Sequence, residues 1–270
     1  DDREAVRRQR VPRAESRRVA VGAGDDPPDA AEHALLPCRH APREGVAGAE
    51  APATGPQAGA DPAAAARDKG LAWLTKNQAQ DGSWGKTYTV AITSFACLSY
   101  LAAADEPFAG PHAEPLMRGL RFLLGAQKAG QFPQQGHSWI HGQGFGALAL
   151  AETAGRALLC RTRPDLDLKA LRQVVAKAVA VIAANQSTSG GWWYTPDSKG
   201  QHEGSTTVCA VQALVSAANY GIRIDKDALD RGFEYLKRCQ NADGGFDYML
   251  DDRPDTTSMK EGTAADVATL

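Results

Sequence analysis

The chain has 270 residues, of which 43% are apolar and 23% charged, and 30 basic residues are balanced by 32 acidic ones. This balance gives no electrostatic reason to expect binding to nucleic acid or to an anionic membrane surface. No apolar stretch approaches the ~20 residues that a transmembrane helix needs, and no N-terminal signal sequence is recognisable. The length allows a sizeable core in one or two domains.

Aromatic residues divide the chain into two regions. All 18 Phe, Trp and Tyr residues follow position 66, whereas residues 1–66 are rich in Ala, Pro, Gly and Arg. Without large side chains, the first region cannot bury enough apolar surface to offset the entropy lost on ordering. We therefore predict a disordered segment over 1–66 and a folded domain over 67–270.

From about residue 63 the apolar residues recur at helical spacing. Turn signals such as Asp81-Gly82 and Gly190-Gly191 separate the helical segments, and Asp225 or Asp227 is placed to cap the seventh. Nothing alternates with a period of two residues, so we predict an all-α domain. The predicted helices are Ala63–Lys76, Val90–Ala103, Glu114–Ala126, Gly144–Ala154, Asp165–Ala184, Thr206–Asn219, Asp227–Cys239 and Thr263–Leu270.

Five cysteines are scattered without CxxC spacing, which argues against a disulfide framework or a zinc ribbon. Four of them lie in apolar or amphipathic stretches: Cys97, Cys160, Cys209 and Cys239. We expect buried free thiols in a reducing compartment, and hence a cytoplasmic location or one peripheral to a membrane.

Four segments share one pattern, in which a cation stands nine residues before a glutamine, and a glycine and an aromatic residue follow that glutamine. The pairs of glutamine and aromatic residue are Gln78 with Trp84, Gln127 with Phe132, Gln186 with Trp192, and Gln240 with Phe246. The glutamines are 49, 59 and 54 residues apart, which leaves room for two helices in each repeat.

This pattern predicts a helical hairpin that is held by its turn. The glutamine lies near the end of the first helix, where its amide can bond carbonyls that lack intrahelical partners. The glycine permits positive φ, and the aromatic side chain can fold back and stack on the amide. Hairpins of this kind stacked side by side would bury a continuous core.

The four segments resemble the QW repeat of squalene–hopene and oxidosqualene cyclases, whose fold is related to that of protein prenyltransferase β subunits. The chain looks most like the bacterial prenyltransferase/squalene oxidase repeat proteins, including those of planctomycetes, over Ala63–Leu270. The resemblance implies an α/α toroid, with inner helices around a central cavity and outer helices around them. Because this family closes with five or six hairpins, we expect a partial toroid whose apolar edge is covered by an oligomer or by hairpins beyond Leu270.

The catalytic signatures of these families are not found. Class II cyclases use a DxDD stretch, and the nearest segment here, Asp251–Asp255, has the wrong spacing and reads as an exposed loop. Prenyltransferases bind zinc through an Asp-x-Cys pair, and the comparable place here holds Thr207–Cys209. His137 and His141 are four residues apart but have no evident third ligand. No cofactor or metal is predicted, and zinc stays an open alternative.

A few residues are candidates for a site. Alignment of the predicted inner helices places one residue of each at equivalent positions: Ser94, Gly146, Ala210 and Asp266. Asp266 is therefore a weak candidate for a catalytic cavity acid, the alternative being a solvated carboxylate. Candidates to line a ligand cavity are Trp139, His141, Trp193 and Tyr194. His202 and Glu203, which lie beside Gly200 and Gly204, are interpreted as loop residues.

Two functions stay open from the sequence. The resemblance implies a toroid that binds an apolar, isoprenoid-like molecule in its cavity, with or without turnover as a terpene cyclase or prenyltransferase-like enzyme. The alternative is a non-catalytic scaffold for a lipid or a protein partner. A toroid of the complement thioester type is disfavoured because the Cys-Gly-Glu sequence is missing. We expect no nucleic-acid partner and leave peripheral membrane contact open.

Overall fold

A computed structural model describes residues 62–241 and 243–250. These residues form seven α-helices and no β-strand, apart from three isolated bridges, so the predicted all-α fold is confirmed. The helices are α1 (Pro62–Lys76), α2 (Thr89–Ala103), α3 (Ala113–Ala126), α4 (Trp139–Leu159), α5 (Leu168–Ala184), α6 (Gly204–Asn219) and α7 (Lys226–Cys239).

The helices form two layers, with the even-numbered helices inside and the odd-numbered helices outside. The even-numbered helices are the more buried. Fourteen residues of α4 are buried, whereas only Leu71 of α1 is. Helix α4 packs against both α2 and α6, and these three form an inner row. The outer helices α3, α5 and α7 pack on α2, α4 and α6 respectively. Each outer helix therefore rests on the inner helix of the preceding repeat, in the α/α arrangement of a toroid.

Most helix boundaries agree with the sequence pattern, and α4 is the main exception. It begins at Trp139 and ends at Leu159, whereas the pattern predicted residues 144–154. Glycines in its first turns permit close packing of the inner helices: a Cβ on Gly144, where the predicted helix began, would lie 2.6 Å from Cys209 Sγ. Packing thus overrides the low helix propensity of glycine here.

Smaller differences occur at the other helix starts. Helix α1 begins at Pro62, one residue before the predicted start at Ala63. Asp167 is the N-cap of α5 and accepts a hydrogen bond from Ala170 N, so this helix starts later than predicted. Asp225 caps α7 by accepting from Ala228 N, as the sequence allowed. The remaining predictions for residues 1–61, for Asp251–Asp255, for the eighth helix and for Asp266 lie outside the described residues.

The glutamine of the repeat links neighbouring repeats. Gln78 Nε2 donates to Gly82 O and to Pro115 O, both at 2.9 Å, and Pro115 belongs to the next outer helix. Gln186 Nε2 does the same with Gly190 O at 2.7 Å and Ala228 O at 2.8 Å. In these two repeats the amide joins the turn to the following repeat, whereas we predicted bonds to the carbonyls of its own helix.

The tryptophan, and not the glutamine, caps the outer helix in these two repeats. Trp84 Nε1 donates to Leu74 O at 2.8 Å, and Trp192 Nε1 donates to Ile182 O at 2.8 Å. The predicted stacking of the aromatic ring on the amide is therefore replaced by a hydrogen bond to a carbonyl at the end of the helix.

The second repeat achieves the same link with a different residue. Its turn is one residue shorter between Gln127 and the glycine, and Gln127 Nε2 donates to Leu124 O of its own helix at 3.1 Å. Gln143, from the inner helix α4, instead donates to Gly130 O at 2.8 Å and to Ala178 O of the next outer helix at 3.1 Å. The linking role has moved from the predicted Gln127 to Gln143.

In repeats two and four the cation binds the turn or the glutamine of the repeat before it. Arg118 Nη2 donates to Ala79 O at 2.6 Å, and Arg231 Nε donates to Gln186 Oε1 at 3.0 Å. The turn glycines fit closely against the same segments: a Cβ on Gly82 would lie 2.5 Å from Arg118 O, and one on Gly190 2.6 Å from Arg231 O. We call this contact between a turn and the following outer helix the junction.

Hydrogen bonds to the backbone of the repeat aromatic residue set the register of the inner helices. Trp84 N donates to Thr93 Oγ1 at 3.0 Å and Trp192 N to Thr207 Oγ1 at 3.1 Å, while Phe132 N donates to Gln143 Oε1 at 2.9 Å. Our alignment of α2 was therefore two residues out of register. The residue of α2 that corresponds to Gly146 and Ala210 is Ala96, and not Ser94.

Candidate ligand-binding site on the inner helices

The inner helices carry a partly exposed stripe of side chains at matching register positions. We call this stripe the inner wall, and it consists of Phe95, Leu98, His141, Phe145, Leu148 and Gln212. Phe95 is 49% exposed, although Phe is a residue type that folding usually buries. The Phe95 and Phe145 rings join α2 to α4 with centroids 4.4 Å apart, and His141 stacks on Phe145 at 6.0 Å. The exposed surface of the inner helices is therefore aromatic and largely apolar.

A cluster of aromatic and imidazole groups lies at one end of the inner wall. It consists of Tyr88, His137, Trp193 and Tyr194, and we call it the rim. Tyr88 Oη and His137 Nδ1 are hydrogen-bonded at 2.7 Å. The Tyr194 ring lies 5.9 Å from His137, 5.8 Å from His141 and 5.0 Å from Trp193. Three of the four predicted cavity residues, His141, Trp193 and Tyr194, are thus brought together.

At the start of each inner helix, a backbone N–H group donates a hydrogen bond to an acceptor in the following repeat. Tyr194 O accepts from Trp139 N at 2.8 Å at the start of α4, and Tyr248 O accepts from Gly204 N at 2.7 Å at the start of α6. At α2 the acceptor is Gln135 Oε1, 2.9 Å from Val90 N. These bonds satisfy N–H groups that have no intrahelical partner, and they fix the tyrosines against the wall. The sequence analysis did not predict this role. It could have been recognised from the Tyr that stands two residues after the repeat aromatic residue in repeats three and four.

Glu203 is the buried carboxylate behind the rim. It is the N-cap of α6 and accepts from Ser205 N at 2.9 Å and Thr206 N at 2.7 Å. Its side chain is completely buried, although Glu203 lies in the segment before α6 that we interpreted as a loop. His202 beside it is half-buried, and its Nδ1 is 3.0 Å from Tyr235 Oη. A carboxylate is stabilised in this place by the N-terminal end of the helix.

Burial governs the protonation of this region. It lowers the pKa of His141, an effect that the charge of Glu203 opposes and His137 reinforces. His141 is therefore a neutral imidazole at pH 7, and Ser138 Oγ, 2.5 Å from its Nδ1, orients the ring. Burial and the hydrogen bond with Tyr194 raise the pKa of the Tyr248 hydroxyl, which stays protonated.

Trp139 belongs to the core. It is 1% exposed, and its indole N–H is one of the buried polar groups without a hydrogen-bond partner among the described residues. Although we predicted it as a cavity candidate, its ring is not part of the inner wall. The repeat residues Trp84, Phe132, Trp192 and Phe246 are also buried, as their structural role requires.

The described cysteines are free and buried, which confirms the prediction for all four of them. Burial raises the pKa of Cys97 to about 12 and that of Cys209 further. Cys209 Sγ lies 3.4 Å from Ile140 O. Within residues 62–241 and 243–250, no three His, Cys, Asp or Glu side chains are grouped to hold a metal ion, so His137 and His141 gain no third ligand there.

Comparison with known proteins supports the fold. A solved structure described as glycosyl hydrolase family 88 from Bacteroides vulgatus is similar, with a TM-score of 0.51 and 15% sequence identity over 76% of this chain. This chain spans 64% of the length of that one. The chain has the α/α-toroid fold. No family sequence model and no curated protein sequence matches it. At this level of identity the likeness concerns the fold alone.

None of the described helices combines the length and the apolar character that crossing a bilayer would require. The cytoplasmic or peripheral location stays a prediction.

Proposed function

We propose that this toroid binds an apolar, isoprenoid-like ligand along the inner wall. The observation that carries the proposal is the partly exposed stripe of Phe95, Leu98, Phe145 and Leu148 on inner helices whose residues are mostly buried. Apolar side chains exposed together on one surface favour an apolar occupant. A linear hydrocarbon chain matches a stripe that follows the helix axes.

The polar end of the wall fits the same kind of ligand. His141 is neutral at pH 7, so an apolar molecule beside it displaces no charge. The hydroxyl groups of Tyr88 and Tyr194 offer hydrogen-bonding partners for an alcohol or phosphate head group. A molecule with one polar end and a long apolar tail would place its head at the rim and its tail on the wall.

We further propose that the chain is a member of the prenyltransferase/squalene oxidase repeat proteins. Four sequence repeats in register support this assignment. In repeats one and three the side chains of the glutamine and the tryptophan also make the same three hydrogen bonds, so the repeat is present in the structure as well as in the sequence.

Phe145→Ser tests the ligand proposal, with Phe233→Ser as its control. Both phenylalanines are half-buried on helices, but Phe145 lies on the inner wall and Phe233 on the outer helix α7. We expect Phe145→Ser to weaken binding of farnesol by about tenfold, since a buried aromatic contact contributes on the order of 1.5 kcal/mol, while Phe233→Ser leaves it unchanged. Equilibrium dialysis with labelled farnesol measures both. Equal affinities of the two variants, or no binding by the unaltered chain, would refute the proposal.

Binding without turnover is favoured over catalysis by the state of Glu203. Its carboxylate accepts hydrogen bonds from two backbone amides and the Ser205 hydroxyl, so it is engaged in capping α6. A second candidate is an enzyme that acts where the inner wall meets the rim, since neutral His141 could accept a proton there. The solved neighbour's description as a glycosyl hydrolase extends this candidate to saccharides. Incubation with farnesyl diphosphate, squalene or oligosaccharides, followed by product analysis, separates an enzyme from a scaffold.

A further inference from the structure

The stripe of the inner wall continues on α4 beyond its apolar residues to a carboxylate. Between residues 139 and 157, the partly exposed residues of α4 follow one another at intervals of four and three: His141, Phe145, Leu148, Glu152 and Arg156. This spacing places them on one face of the helix. Because an α-helix rises by about 1.5 Å per residue, Glu152 lies about 16 Å from His141 along the axis. The stripe is therefore apolar in its middle and polar at both ends.

Two residues from the end of α6 hold the Glu152 carboxylate. Ser216 Oγ donates to Glu152 Oε1 at 2.7 Å, and Tyr220 Oη donates to Glu152 Oε2 at 3.0 Å. Ser216 and Tyr220 follow Gln212 of the inner wall at intervals of four residues, so they continue its side of α6 as far as the C-cap. We call Glu152, Ser216 and Tyr220 the far end of the inner wall. It lies near the C-terminal ends of the inner helices, whereas the rim lies at their starts.

Packing around Tyr220 fixes the geometry of the far end. The Tyr220 ring lies so close to Gly155 of α4 that a Cβ on this glycine would overlap it. On the outer side, Arg172 Nη1 of α5 donates to Tyr220 O at 2.9 Å. The tyrosine is thus held by two helices, and its hydroxyl in turn orients the carboxylate of Glu152. A group positioned in this way binds a partner without losing further conformational freedom.

The Glu152 carboxylate has room for a further donor. Each of its oxygens accepts one hydroxyl from a described residue, whereas a carboxylate offers about four lone-pair positions. Among the residues that the structure describes, no cation forms an ion pair with Glu152. Arg156, one turn further along α4, donates instead to Asp105 O at 3.3 Å. A half-buried carboxylate that lacks a cation favours a positively charged partner.

We propose that the far end binds the protonated amine of a ligand whose apolar chain lies on the inner wall. The ammonium group donates to the oxygens of Glu152, and the first carbons of the chain contact Leu148 and Phe145. An amine and an alcohol with the same chain therefore lie in opposite directions, since the alcohol places its hydroxyl at the rim. The inference rests on the proposed function, because it needs the wall as the binding surface for the chain.

Glu152→Gln tests the far end, with Glu234→Gln as its matched control. Glutamine keeps the size of the side chain and an oxygen that accepts from Ser216, but it removes the charge. Glu234 is exposed on the outer helix α7, so its replacement changes the net charge equally, away from the wall. Circular dichroism verifies the fold of both variants. Glu152→Asp, which keeps the charge but withdraws it by one carbon, is a second variant in case Glu152→Gln does not fold.

Equilibrium dialysis of the full chain with farnesylamine and with farnesol gives the readout. At pH 7 an alkylamine is protonated, as the pKa of the lysine side chain indicates. We expect the unaltered chain and Glu234→Gln to bind farnesylamine about tenfold more tightly than farnesol, because a hydrogen bond between charged groups is stronger than one between neutral groups. Glu152→Gln should lose this preference, and Glu152→Asp should keep only part of it.

The possible failures are distinguishable. If the unaltered chain binds neither ligand, the wall is not a binding surface and the proposed function falls. If it binds both ligands with equal affinity, the proposed function stands and the amine site is overturned. A preference for farnesylamine that is as large in Glu152→Gln or Glu152→Asp as in the unaltered chain would overturn the assignment to Glu152. An equal loss of preference in Glu234→Gln would overturn it too, because net charge would then explain the effect.

Discussion

Single polar side chains decide how this repeat holds together. Gln186 has the fullest set of bonds, since its amide donates to two carbonyls and its oxygen accepts from Arg231. Gln127 stands at the same place in the sequence pattern but donates to a carbonyl of its own helix and accepts from Gly130 N. The same residue type at the same motif position therefore forms different hydrogen bonds in these two repeats.

Replacement of these glutamines by leucine should separate the two roles. Gln186→Leu leaves two carbonyls and an arginine without their partner and should lower the free energy of unfolding by about 2–3 kcal/mol. Gln127→Leu should cost about 1 kcal/mol, because its side chain is half-exposed and water can replace its bonds. Urea denaturation followed by circular dichroism measures both changes.

Gln143→Leu completes this series. Although it lies outside the sequence motif, it should cost about as much as Gln186→Leu, since it links Gly130 O to Ala178 O and is fully buried. A smaller loss for Gln143→Leu than for Gln127→Leu would contradict the transfer of the linking role.

The sequence could show the motif but not this exchange of roles. Periodicity and turn residues predicted the helices well, because apolar spacing and Asp-Gly or Gly-Gly turns act locally. Gln143 and Glu203 depend on what a distant segment brings to them. In the sequence, Gln143 is a glutamine within an apolar helix and Glu203 a carboxylate between glycines, so both look like ordinary polar residues. Their roles follow only from the contact between repeats and from the start of α6. Three residues of the candidate site, His141, Trp193 and Tyr194, were predicted because aromatic and imidazole side chains near turns are visible in one sequence.

Among the elements, α4 carries a histidine with a shifted pKa at its start, so its stability should depend on pH. His141 lies in its first turn, where burial lowers the pKa and the positive end of the helix also disfavours a charged imidazole. The unfolded chain holds the same imidazole in water, with a pKa of about 6.5. Below that pH the unfolded state binds more protons than the folded state, so stability falls as the pH falls.

His141→Gln should therefore flatten the acid side of the stability curve. Gln keeps a polar side chain of similar size but does not titrate, so the variant should lose less stability than the unaltered chain between about pH 6.5 and pH 5. Urea unfolding at a series of pH values measures the slope. His112→Gln, a change at a half-buried histidine outside α4, is the control. If the free energy of unfolding depends on pH in the same way for the unaltered chain and for His141→Gln, protonation of His141 does not affect stability.

For the molecule as a whole, stability depends on the junctions between repeats. Gly190 and Gly244 have nearly the same backbone conformation, with φ of +95° and +87°. They differ in surroundings, since a Cβ on Gly190 would lie 2.6 Å from Arg231 O, while one on Gly244 meets no described atom. The pair therefore separates the cost of the backbone conformation from the cost of opening a junction.

Gly244→Ala should lower stability by about 1–2 kcal/mol, the cost of placing a side chain at positive φ. Gly190→Ala should add about 1–3 kcal/mol to this, because the turn and α7 must move apart. Thermal denaturation of dilute samples compares the two variants. Equal melting temperatures would mean that opening the junction costs no stability, and that the junction does not hold the repeats together.

The starts of the inner helices impose an order on biosynthesis. Val90 N at the beginning of α2 is bonded by Gln135, 45 residues further along the chain, and α4 and α6 likewise depend on Tyr194 and Tyr248. Translation delivers the N-terminal part first. A nascent repeat therefore leaves the ribosome with one N–H group at the start of its inner helix still unbonded to protein, and this bond forms only when the next repeat emerges behind it.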